Sequence, residues 1–104
     1  MKLITSFHNN LPNNKKVQRI DGILRAFVGT LIEDNHLSEL RAYVEDLVHR
    51  ENAKHPRTTP LYVTSLRDGH ISIGLDNSDK CMWFVVAEVK QRWEVLREFD
   101  TTDM

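Results

Sequence analysis

The sequence predicts an α+β fold in which an N-terminal helical hairpin packs on one face of a mainly antiparallel sheet of three to five strands. Two observations predict it. Apolar residues recur at spacings of three and four before Pro60 and alternate with polar ones after it. Between the two alternating runs stands Asp68-Gly69, a pair favoured in type I′ hairpin turns because both central positions need positive φ. The order is therefore two helices, then three strands, with a further C-terminal strand or helix and a short N-terminal strand as outlying elements. At 104 residues, 1–104 reads as a single domain with one core.

Leu3, Ile4 and Phe7 form the short N-terminal strand or a packed arm, and the Asn-rich run 8–14 with Pro12 turns the chain. Val17, Ile20, Leu24, Phe27 and Leu31 then step by three and four, flanked by Ile23, Val28 and Ile32, so a helix is expected over 14–33. Asn13 or Asn14 can cap its start. Gly22, Ala26 and Gly29 make a small-residue strip along that helix, suited to close packing by the second helix, and Gly29→Leu should then destabilise by overpacking.

After the interruption Glu33 to His36, the residues Leu37, Leu40, Val44, Leu47 and Val48 predict a second helix. It ends near 52–54, because His55 precedes Pro56 and a residue before proline resists helical geometry. Strands follow over 61–66 and 71–75. Trp83 to Val86 is apolar on both faces, as in a central strand or one at an interface. The segment 92–99 fits a fourth strand better than a helix by a narrow margin, since Val86, Val89, Trp93 and Leu96 also carry helical spacing.

Composition sets the class. Apolar residues make up 40% and charged residues 28%, with net charge −1, which does not suit a dedicated polyanion binder. Residues 1–60 hold nine Lys/Arg against seven Asp/Glu, and 61–104 hold five against eight. That asymmetry matters only if folding gathers the charges on one face. Cys81 is the single cysteine, so a reducing compartment, the cytoplasm, is expected. No run approaches the ~20 apolar residues of a membrane span.

Catalytic and metal-binding patterns are weak. His49, His55 and Glu45 lack the paired spacing of zinc sites, and no cofactor is implied. Cys81 with His70 as base is disfavoured, because Cys81 opens the most apolar run in the chain and reads as a buried thiol. Residues 76–79 resemble a calcium loop only superficially, since Cys81 stands where its glycine belongs and Ala87 where its glutamate belongs. The basic cluster Arg50, Lys54, His55 and Arg57 suits a helix C-terminus.

These readings favour a non-catalytic protein-binding module, such as an inhibitor, immunity protein or adaptor. Its contact residues would be Trp93, Glu94, Glu88, Asp76 and Asp79: an aromatic anchor gives affinity and an acidic rim steers a basic partner. A second copy of the chain is the other protein partner in view. The alternative is a winged-helix-like nucleic-acid binder contacting phosphates through Lys15, Lys16, Arg19 and Arg67. The second helix argues against it, carrying two arginines against four acids over 36–51. A small enzyme with an intersubunit site ranks third.

Overall fold

A computed structural model describes residues 1–64, 70–76 and 78–89. The chain begins with strand β1 (Lys2–Asn9), followed by helix α1 (Lys15–Arg25), the two-residue strand β2 (Leu31–Ile32), a 3-10 turn at Asp34–His36 and helix α2 (Leu37–Lys54). Strands β3 (Tyr62–Thr64), β4 (Ser72–Gly74) and β5 (Cys81–Glu88) complete it. All five strands form one antiparallel sheet in the order β2-β1-β5-β4-β3, so the fold is mixed α+β.

The expected order, helices first and sheet second, is corrected. A strand opens the chain and another separates the helices. β1 is also no accessory: it pairs with β5 from Lys2↔Glu88 to Asn9↔Met82. Its sequence signal was weak because a bulge between Ile4 and Ser6 shifts the register, so Ile4 and Phe7 both reach the core although they are three residues apart.

Helix α1 starts where Asn14 accepts from Val17 N at 2.9 Å. It ends at Arg25 rather than running to residue 33, because the chain turns through Ala26–Gly29 and returns to β1. Gly29, at φ 91°, donates its N–H to Ile4 O at 2.7 Å, and Ile4 N donates to Thr30 O at 3.0 Å. Phe27 and Ile32 match the helical period because a turn and an edge strand place them against the same core, whereas Leu31 keeps the spacing while facing away from it.

The two helices cover one sheet face. Val17, Ile20 and Leu24 from α1 and Val44 and Val48 from α2 are buried with Ile4, Phe7, Ile73, Met82 and Phe84 from the strands. Past β2, α1 shields β1: Arg25 Nη1 donates to Phe7 O at 3.1 Å, its guanidinium lies 5.3 Å from the Phe7 ring, and Asp21 holds it at 2.8 Å. β5 lies between β1 and β4, with Met82 and Phe84 in the core. On its other face Trp83 stacks on His8 at 5.2 Å. β3 and β4 pair as the hairpin signal implies, whereas Asp68-Gly69 and the segment 92–99 lie outside the described residues.

Candidate functional site

Among the described residues four large apolar side chains stand exposed: Val28, Leu31, Tyr43 and Tyr62. Leu31 and Tyr43 line one groove, together with Phe27, Thr30, Ile32, His36, Glu39 and Leu40, and Val28 adjoins its Phe27 wall in the chain. The backbone explains the cluster. Gly29 turns the chain onto β1, and the pairing Lys2↔Ile32 and Leu3↔Leu31 sends Ile32 into the core and Leu31 away from it. Across the groove, Leu40 and Tyr43 lie one turn apart on α2, and Tyr43 meets Phe27 with ring centroids 5.7 Å apart.

The groove encloses about 330 Å³. Among the described residues its lining holds Glu39 and no lysine or arginine, and Glu33 and Asp34 stand in the connector that leads from β2 to α2. Among the described residues β2 is the outermost strand, paired to β1 on one side only. An apolar trough beside a strand edge that no described residue pairs can accept an extended segment of another chain, which gains backbone hydrogen bonds and seats alternate side chains.

A second, polar centre lies where the start of α1 meets the end of α2. Lys16 is 1% exposed, with Nζ donating to Asn52 Oδ1 at 3.0 Å and Thr59 O at 2.7 Å. Glu51 is equally buried; its Oε1 accepts from Arg19 Nε at 2.8 Å and Lys54 Nζ at 3.4 Å. Its Oε2 has no hydrogen-bond partner among the described residues, and His55 Nε2 stands 3.7 Å from it. Burial raises the Glu51 carboxyl, but the hydrogen bonds and charges of Arg19 and Lys54 outweigh it and hold it below the ordinary value. Burial alone lowers the Lys16 ammonium.

The residues singled out from sequence fall in different places. Trp93, Glu94 and Arg67 lie outside the described residues. Asp76 and Asp79 are exposed in the β4–β5 connection, while Glu88 is at the far end of β5, seven residues beyond Cys81 and so about 23 Å away along the strand. Those three carboxylates are not brought into one rim. Lys15 and Arg19 are exposed, but Arg19 is committed to Glu51, and Lys16 is internal, so the three do not form an open basic face for a nucleic-acid backbone.

Two further readings are corrected. Cys81 is half-buried rather than buried; it pairs with Gly74, four residues from His70, about 13 Å of extended chain. Gly22 has nothing within 4 Å of where a Cβ would stand and Gly29 lies beyond the helix, so no second helix packs into a small-residue strip. Glu45 bonds Arg41 at 2.9 Å, and among the described residues no three His, Cys, Asp or Glu side chains are grouped to hold a metal. No helix among them is long and apolar enough to cross a membrane.

The groove is not legible in the sequence because Phe27, Leu31 and Ile32 carry the spacing of a helix core. One signal for the polar centre was present. Lys16, Ile20 and Leu24 are spaced by four, as are Val44 and Val48 with Glu51 three further on, so both charges sit on apolar stripes. Compared with known proteins, the chain matches no family model, no curated protein and no solved structure.

Proposed function

We propose that the protein is a non-catalytic binding module of the inhibitor or adaptor kind, and that it holds a basic, apolar segment of a partner protein in the groove between β2 and α2. The observation that carries this reading is the convergence of Leu31 and Tyr43, two of the most exposed large apolar side chains, on one groove. Scattered apolar residues need no partner, but a contiguous exposed cluster is a site of association. The partner's sign follows from Glu39 in the lining and Glu33 in the adjoining connector, which attract lysine or arginine on a segment whose apolar side chains enter between Leu31 and Tyr43; Asp34 already faces the Met1 ammonium at 3.4 Å. This retains the aromatic anchor and acidic rim expected from sequence, and locates them in different residues.

A fluorescent alternating lysine–valine peptide titrated into the full chain tests the reading, with an alternating glutamate–valine peptide as control. The lysine peptide should bind with an affinity that falls as salt rises, and Leu31→Arg should abolish binding without lowering the melting temperature. Equal binding of both peptides, or binding that survives Leu31→Arg, contradicts it.

A further inference from the structure

A cavity of about 240 Å³ opens between the start of α1 and the loop after α2, with Asn14, Lys16, Arg57 and Thr59 in its wall. Among the described residues of its lining two, Lys16 and Arg57, are cationic and none is acidic. The electrostatics of the lining are unbalanced. Lys16 is almost wholly buried, its two hydrogen-bond acceptors are both neutral, and no carboxylate of the described residues lies within ion-pair distance of it. A buried ammonium without a counter-charge is costly even when hydrogen-bonded, because neutral oxygens do not replace its lost hydration.

Glu51, the buried carboxylate of the neighbouring cluster, is already shared by Arg19 and Lys54. Arg57 is exposed at the cavity and makes no ion pair among the described residues. The first turn of α1 holds no acidic residue but two lysines, placing like charge beside the positive end of the helix. Burial, cavity lining and helix end thus present positive potential to one small space, below the about 300 Å³ where pockets for drug-sized ligands begin.

We propose that this cavity binds a small phosphate-type oxyanion, which supplies the counter-charge that Lys16 and Arg57 lack. The exposed guanidinium of Arg57 contacts the ion from the solvent side, and the Lys16 ammonium, held by Asn52 Oδ1 and Thr59 O, contributes its charge through the cavity wall. The amide of Asn14, whose Oδ1 is already used to cap Val17, has its N–H groups left to donate. This site is separate from the groove: no described residue lines both.

The test is a titration of the full chain with inorganic phosphate at fixed ionic strength, followed by amide NMR. Saturable shifts confined to residues 14–17 and 57–59 are expected. Arg57→Gln, an exposed change, should weaken the affinity about tenfold, as loss of one charge-assisted contact does. Lys54→Gln removes the same charge from the same corner without touching the cavity and should leave the affinity within about twofold. An oligonucleotide lacking terminal phosphates separates a free ion from a nucleic-acid backbone, and it should not compete. No saturable shift, equal losses in the two variants, or binding of the oligonucleotide alone would overturn the proposal.

Discussion

Asn52 clamps Leu61 by both backbone groups: its Nδ2 donates to Leu61 O at 2.9 Å and its Oδ1 accepts from Leu61 N at 3.0 Å. The same Oδ1 takes Lys16 Nζ, so one amide joins α1, α2 and the chain entering β3. Leu61 is thereby held in the core, 2% exposed.

Asn52→Ala removes three hydrogen bonds and leaves a buried ammonium with one acceptor fewer. A loss of about 2–4 kcal/mol in urea unfolding is expected. A loss under about 0.5 kcal/mol would mean that water replaces the clamp.

Acid should destabilise the fold through Glu51 and Asp21. Asp21 is held below its ordinary value chiefly by the hydrogen bond from Arg25, and Glu51 lies below its own despite burial. A carboxyl depressed in the folded state contributes stability that is complete above its unfolded value, about 4.3 for Glu and 3.9 for Asp, and is lost as pH falls through the folded one. Stability should therefore hold from neutrality to about pH 5 and decline below it. Glu51→Gln should lower stability at neutral pH, since Arg19 and Lys54 lose their anion, and flatten the acid decline. Identical acid slopes in urea melts of the two proteins would contradict the assignment.

The glycines make opposite predictions. Gly22 sits inside α1 with open space around it, so Gly22→Ala should stabilise by about 0.5–1 kcal/mol. Gly29, at φ 91°, should resist every substitution: Gly29→Leu destabilises through backbone strain of about 1–2 kcal/mol, not through overpacking, and Gly29→Ala costs nearly as much. A tolerated Gly29→Ala with a damaging Gly29→Leu would restore the packing explanation.

Legibility followed locality. The second helix was plain because Leu37 to Val48 repeats its period without interruption, and the antiparallel strands on either side of residues 65–69 carried their alternation. The periodicity overstates the first helix because Phe27, Leu31 and Ile32 keep helical spacing while belonging to a turn and an edge strand. What ends α1 is the pair of bonds between residues 29–30 and Ile4, a long-range contact that periodicity does not encode. β1 was faint because its bulge spaces Ile4 and Phe7 by three. The candidate site depends on that same return of the chain, so it could not be seen before the fold was.

The central claim, that the groove holds a basic partner segment, is tested most directly by site-specific crosslinking in the native host. Benzoylphenylalanine is placed at Tyr43 of the full chain and, as a control, at His49, which is exposed on the same helix. The account predicts a Tyr43-specific crosslink whose mapped peptide is extended, apolar and flanked by lysine or arginine. Crosslinks of equal yield from His49, to the chain's own copies, or to an acidic segment would contradict it.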